Sequence, residues 1–431
     1  MERIPSLFDP LPLVSEPAVL ANPGNALPIT VRTAAEQWAY ALRLQRAEPR
    51  TDLFRAVLIR VTASVNSGTI GIGCLNLGET AFIDEMFVNA STAPTTVEIV
   101  VANAADAGPL IVRNASAHGA AEATLLDVEC FAFDHSAQGV RSPALSDPRP
   151  CARWSRYYGT YGDTPLEKLR VQTYTSLTEP QIVRWADDVS VRILPDDQLS
   201  RALFVSDTYE PNTLCVIREL LTQGSTFIDV GANMGVISLV ASKWVGPSGR
   251  VYSLEPSTRE YENLRHNVES NPALSVKPFR LAAASSGGHA TLRVAAASHA
   301  GLNTLGNAFP YEGVETERLE TIETITLDDF VAREAIHGIA AMKIDVEGAE
   351  AAVLQGAHNV LRDHRPAIVF EVFSRSLAAN GSTCEALDRL FYDARYRLYS
   401  IDEETARLVP LDALAIIDEQ NAVALPVERC R

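Results

Sequence analysis

The chain has 431 residues, 47% apolar and 21% charged, with a formal net charge of −17. That length exceeds one ordinary core, so two domains are expected. The acid excess and the lack of a Lys/Arg cluster argue against nucleic acid or an anionic membrane as partner.

The six cysteines, Cys74, Cys130, Cys151, Cys215, Cys384 and Cys430, form no CxxC pair, so neither a zinc knuckle nor a redox motif is expected. With no basic-then-apolar leader and no apolar run long enough to cross a bilayer, the sequence predicts a cytoplasmic protein without a membrane span. The sequons at Asn89 and Asn114 are then chance matches.

Residues 1–27 are rich in Pro and turn-formers and are expected to be irregular. From 28 to 135 come short runs bounded by turn signals: LPITVR, FRAVLIRVTASV, GTIGIGCLN, AFIDEMFVN, TTVEIVVAN, GPLIVRNA and ATLLDVECFAF. Several alternate apolar and polar residues, the period of a half-buried strand, and together they predict an all-β sandwich, a fold that includes carbohydrate-binding domains. Trp38 and Tyr40 in EQWAY share one strand face. Exposed, they would stack on a sugar; core packing is their expected fate.

Residues 136–165, dense in Pro, Gly and Ser, predict a linker. From 166 to 431 strand-like and helix-like runs alternate: TFIDV, a helix over 235–245, RVYSLE, a helix over 257–270, SVKPFRLA, a hairpin near 289–326, AAMKIDV, a helix over 348–361, AIVFEVF, a helix over 383–393 and YRLYSI. This is the texture of an α/β domain with a mostly parallel sheet, whose ligand lies beyond the carboxyl ends of the strands.

Four places carry chemistry. In TFIDVGANMG a strand ends at Asp229, and a loop with Gly231 and Gly235 opens a helix, which permits close backbone approach to a ligand. A bare strand–helix turn is the plain alternative. Glu255 ends the next strand at a spacing that suits the ribose of NAD and of S-adenosylmethionine (SAM) equally. The loop is GANMG rather than GxGxxG, and a carboxylate at Asp229 suits the cationic amino-acid end of SAM better than a pyrophosphate. In MKIDVEGAE, Asp345 ends another strand, while Glu347 and Glu350 sit where first-turn capping would also explain them. Lys343 is read either as a buried partner of Asp345 or as a solvent-facing side chain. Glu371 interrupts the apolar strand AIVFEVF, a costly position without a partner.

Taken in order, FIDVGANMG, SLEPS and KIDVEGAE resemble the FkbM family of SAM-dependent methyltransferases, over about Leu194 to Phe373. The resemblance implies a class I, Rossmann-like methyltransferase fold over 166–431 and SAM as cofactor. It implies that Asp229, Gly231, Asn233 and Gly235 cradle the methionine part, that Glu255 with Pro256 holds the ribose, and that Leu281, Ala282 and Ala283 line the adenine. Asp207, Tyr209 and Glu210 would close over the cofactor, and Asp345 would lie near the methyl group. LAAAS departs from the family's usual Ala-Leu-Ser step. Members O-methylate hydroxyls of sugars, glycans and glycosylated metabolites, so a saccharide acceptor is implied. The alternative is a non-catalytic carbohydrate-binding protein with a vestigial Rossmann-like half.

An alcohol needs a base to take its proton during transfer. The candidates are Asp345, Glu347, Glu371 and His299, the last in a loop between hairpin strands. No ligand spacing demands a metal, and assembly into a homo-oligomer is left open.

Overall fold

The computed structural model describes residues 2–4, 8–14, 19–20, 27–46, 56–101, 104–133, 165–185, 189–206, 209–403, 405–417 and 419–430. The chain divides into two compact units, Met1–Gln138 with Thr160–Ser176, and Gly139–Gly159 with Leu177–Arg431. Residues 136–164 of the expected linker lie outside the described residues.

The first unit is built from β1 (Glu2–Ile4), β2 (Phe8–Val14), β3 (Val19–Leu20), β4 (Ile29–Arg32), β5 (Tyr40–Arg46), β6 (Ala56–Ser67), β7 (Thr69–Asn76), β8 (Phe82–Asn89), β9 (Thr95–Val101), β10 (Ala107–Asn114) and β11 (Glu122–Phe133). They pair in two sheets, β3-β4-β11-β6-β9 with β1 on β11, and β2-β5-β10-β7-β8. The pairings in both are antiparallel. Alternate residues of both sheets, Val57, Ile59 and Val61 of β6 with Ile70, Ile72 and Cys74 of β7, meet in one apolar cluster.

Three findings correct the sequence expectations here. Within 1–27, three stretches are strands rather than irregular chain, and Phe8 is buried in the shared core. Their prolines hide the pattern, and Pro10 and Pro12 are tolerated because β2 is an edge strand. The helix Pro165–Thr175 packs on β9 and belongs with the first unit, so the second begins near Leu177 rather than at 166. Trp38 and Tyr40 are not core residues; they are 46% and 37% exposed.

The second unit contains the hairpin β12 (Gln181–Trp185) and β13 (Val189–Ile193), then β14 (Thr226–Val230), β15 (Arg250–Leu254), β16 (Val276–Phe279), β17 (Ala282–Ala283), β18 (Gly288–Ala295), β19 (Thr316–Ile325), β20 (Ile339–Ile344), β21 (Ala367–Val372), β22 (Tyr396–Ile401), β23 (Leu408–Leu411) and β24 (Gln420–Pro426). Its main sheet has the order β16-β15-β14-β20-β21-β24-β22-β23. β16 to β21 run parallel, and β24 enters antiparallel between β21 and β22.

β14 is central and buried from Phe227 to Val230, so its near-continuous apolar run is what a parallel strand covered on both faces requires. The chain winds outward from β14 first through β15 and β16, then on the other side through β20 and β21. That reversal is a topological switch point at the carboxyl ends of β14 and β20, the place where open α/β sheets take their ligands. The helix Val236–Val245 follows β14 and is buried along most of its length. Among the described residues, no helix is long and apolar enough to cross a membrane.

Candidate active site

Asp229 on β14 stands beside Ser253 on β15 and Lys343 on β20. Registered neighbours in a sheet share a face, so these three form one row. Two residues further on, the same alternation brings up Glu255, Gly231, Asp345 and, on β21, Glu371. Glu371 is itself opposite Asn421 of β24. Residues from four separate motifs therefore converge on one rim, and the central position of the outer row carries no side chain.

Packing explains the two glycines. A Cβ on Gly231 would lie 1.7 Å from the Asp345 carbonyl oxygen, and one on Gly235 would lie 2.4 Å from Leu264 Cδ1. Both have φ near +80°, at 80° and 85°. Their role in the packing is thus to let backbone and helix approach each other. Asn233 also has a positive φ, 48°, and its Oδ1 accepts the Met234 N–H at 2.7 Å.

Asp229 is buried; Ser238 Oγ donates to it at 2.5 Å and lies 2.7 Å from Ser253 Oγ. Burial pushes the Asp229 carboxyl up to about 6 against the opposing Lys343 charge and Ser238 bond. Glu255 accepts the N–H of Asn233 and of Ser257, both at 2.9 Å. Burial first, and Glu260 next, push Glu255 up to about 8.

Lys343 is 2% exposed and resolves the choice the sequence left open: its Nζ lies 2.5 Å from Asp345 Oδ2 and 3.8 Å from Glu210 Oε1. Burial works against its charge, but Asp345, Glu210 and Asp229 outweigh it and hold the ammonium well above its ordinary range. Glu210, at a φ of 38° just before the helix Pro211–Leu220, also accepts from Asn421 Nδ2 at 2.9 Å. Tyr209 is half-buried next to it, and Asp207 lies outside the described residues.

Asp345, Glu347 and Glu371 each bring one carboxylate oxygen within 4.8 Å of the others. Glu347 Oε2 and Glu371 Oε2 are buried with no hydrogen-bond partner among the described residues. Burial, then neighbouring carboxylates, raise both groups well above the usual range: Asp345 and Glu350 act on Glu347, and Glu347, Asp345 and Glu350 act on Glu371. Oxygens so placed can hold a proton in common or a hard divalent cation.

The capping alternative holds for Glu350 only. Its Oε1 accepts the N–H of Val346 and of Gly348, both at 3.2 Å, and burial pushes it up to about 7. Glu347 instead has a φ of 51°, and its carbonyl is gripped by Thr304 Oγ1 and Asn380 Nδ2, both at 3.0 Å.

Three of the four base candidates therefore meet, and His299 does not join them. It sits in the turn Ala297–His299 with Nδ1 3.1 Å from Ser298 Oγ. Its loop does reach the glycine turn, since a Cβ on Gly301 would lie 3.2 Å from Asn233 Nδ2. Leu281 and Ala283 are in the main core and Ala282 is in a smaller one. Any adenine lining there falls to the backbone. Pro256 is half-buried beside Glu255.

Sequence reasoning missed Asn212 and Asn421. Each has a buried Oδ1 without a partner among the described residues, and both line a small cavity with Thr213, Ile401, Glu403 and Gln420. The signal was the polar pair Gln420–Asn421 opening an apolar strand beside Glu371.

Comparison with known proteins finds a family match over the segment that carries this rim. Residues 229–398 match the model of the methyltransferase FkbM domain. That segment is a methyltransferase FkbM domain. The match covers the glycine turn, Glu255, Asp345, Glu347 and Glu371. Over 153 residues the chain is 27% identical to the hexuronic acid methyltransferase AglP of Haloferax volcanii, which is 36% of this chain and 58% of that protein's length. A methyltransferase FkbM from Methylobacillus flagellatus KT superposes with a TM-score of 0.29 at 14% identity, over 59% of this chain and 57% of that one. A mutant of the carbohydrate-binding module CBM29-2 superposes with a TM-score of 0.22 at 12% identity, over 29% of this chain and 82% of that one.

Proposed function

We propose that the FkbM domain is a SAM-dependent O-methyltransferase acting on a hydroxyl of a sugar or glycosylated compound. The observation that carries the reading is the outer row Glu255, Gly231, Asp345 and Glu371, with two unpartnered carboxylate oxygens beside it. The glycine turn and the buried Glu255 suit a nucleoside whose ribose hydroxyls donate to a carboxylate. Asp229, Gly231, Asn233 and Gly235 would hold the methionine part of SAM, and Glu255 the ribose. When bound, SAM supplies an electrophilic methyl group.

The chain's own residues then have three tasks. The fixed loop of Asp345 and Glu347 orients the acceptor oxygen, which is where most of the rate of an in-line displacement is won. Glu347 and Glu371, whose proton affinity is raised by burial and mutual repulsion, accept the hydroxyl proton at a carboxylate oxygen. Lys343 holds Asp345 in place and offsets part of the surrounding negative charge.

Three features support a sugar hydroxyl. The curated relative is a hexuronic acid methyltransferase by name. The orphaned amide oxygens of Asn212 and Asn421 would accept hydroxyl donors. The carboxylate oxygens at the rim would likewise accept from the hydroxyls of a sugar ring. We further read the two sheets of the first unit as a β-sandwich domain and the enzyme as cytoplasmic.

The test is calorimetric titration with SAM, followed by methyl transfer to a panel of neutral glycosides. Glu371→Gln is expected to lower kcat by about 10²–10⁴-fold while leaving SAM affinity nearly unchanged. Absence of SAM binding by the wild-type chain would overturn the reading.

A further inference from the structure

The outer face of the sheet β2-β5-β10-β7-β8 carries exposed rings that the shared core does not use. Tyr40 is opposite Arg113, Arg113 opposite Gly71, and Gly71 opposite Phe87, so these four form one transverse row on that face. The adjacent row holds Gly73 opposite Glu85. Trp38 precedes β5 and is 46% exposed; Phe87 is 53% exposed.

The rings are held in place. Trp38 has a φ of 71°, a conformation bulky residues rarely adopt, and its N–H donates to the Asn114 carbonyl at 2.6 Å. Trp38 meets Phe87 edge-on at 6.0 Å, and Tyr40 meets Phe82 edge-on at 6.3 Å. Between them the Arg113 guanidinium lies 4.5 Å from the Trp38 ring centroid and 4.6 Å from that of Phe82. Nε of Arg113 donates to Glu85 Oε1 at 2.6 Å and Nη2 to Oε2 at 2.5 Å. Its Nη1 has no partner among the described residues.

Gly71 and Gly73 make the floor of this arrangement. Neither has a positive φ, so no backbone demand explains them. A Cβ on Gly71 would lie 2.4 Å from Glu85 Oε1 and 3.2 Å from the Phe87 ring, and one on Gly73 would lie 2.6 Å from the Phe82 ring. Glycine weakens the interior of a strand. Here that weakness is the condition for rings and an ion pair to lie low across β7.

We propose that this face is a saccharide-binding platform, separate from the methyltransferase rim, on which pyranose rings stack against Trp38 and Phe87. The Arg113–Glu85 pair would meet their hydroxyls. A sugar presents C–H patches to aromatic faces and hydroxyls at its edges, and this surface alternates rings with a donor–acceptor pair in the same way. Other occupants fit less well. Arg43 pairs with Glu79 as Arg113 does with Glu85, so the face offers no net positive charge to a phosphate-bearing partner. Four rings interrupted by two ion pairs also fall short of the apolar centre that a stable protein interface of about 800 Å² per partner carries.

The experiment uses the full chain in affinity electrophoresis through gels containing hydroxyethylcellulose, glucomannan, galactomannan, xylan or glycogen. Retardation by at least one of these is expected. Trp38→Ala combined with Phe87→Ala should weaken that retardation about tenfold or more. Gly73→Val, which lifts the Phe82 ring, should weaken it without removing any ring. Far-UV circular dichroism and a thermal melt on the same samples show whether the first unit still folds, and SAM affinity, which reads the second unit, reports the methyltransferase reading separately. No retardation of the wild-type chain by any of the five polymers, or equal retardation of the wild-type and doubly substituted chains, would overturn the proposal.

Discussion

The two units treat charge in opposite ways. On the outer faces of the first unit's sheets, arginines pair one to one with glutamates: Arg113 with Glu85 and Arg43 with Glu79 on one sheet, Arg60 with Glu98 on the other. At the rim of the second unit, Lys343 is the one cation among the described residues that faces Asp345, Glu210 and Asp229, and Glu347, Glu350 and Glu371 crowd behind. Matched charges leave a surface free to present its rings. Surplus carboxylates in a desolvated crevice become proton acceptors, because burial and repulsion lift their proton affinity.

The contrast breaks most directly at Lys343. Lys343→Met leaves several buried carboxylates without their cation and should cost about 3–5 kcal/mol of stability, read by urea denaturation. A loss under about 1 kcal/mol, within the range of an exposed pair, would mean that water already screens the rim.

A smaller effect is expected from pH. Glu255 ionises near 8 in the fold against 4.5 in its ordinary state, so its protonated form favours folding. That contribution is full below the lower value and is lost as pH rises through the higher one. Asp229 at about 6 and Glu350 at about 7 act with the same sign. The ligand-free chain should therefore melt lower at about pH 8.5 than at about pH 5.5, and Glu255→Gln should flatten that slope. A slope unchanged by the substitution would remove Glu255 from the account.

The smallest effect sharpens the other side of the comparison. Arg60 Nη2 lies 2.7 Å from Glu98 Oε1, with the side chains 33% and 26% exposed. Arg60→Ala should change stability by no more than about 1 kcal/mol, read in the same denaturation experiment.

Local period and punctuation made much of this legible. The seven runs read as strands between 28 and 135 are β4 and β6 to β11, and Asp229, Glu255 and Asp345 stand at the ends of neighbouring strands as their motifs required. Long-range pairing was not legible. Nothing in YALRLQR announces that β5 joins the sheet bearing Trp38's neighbours, and nothing in QNAVALP announces that β24 slips between β21 and β22. Trp38 escaped the core because its left-handed backbone turns it out of the strand pattern. Leu281 and Ala283 entered the core because β17 pairs with β19 there rather than bordering the crevice with their side chains.

The position of β24 has a consequence for synthesis. β22 reaches the parallel part of the sheet only through β24, and Asn421 beside Glu371 comes from that same late segment. A chain still emerging from the ribosome already holds β14, β15 and β20, yet Glu371 gains Asn421 as its neighbour only when Gln420–Pro426 has emerged.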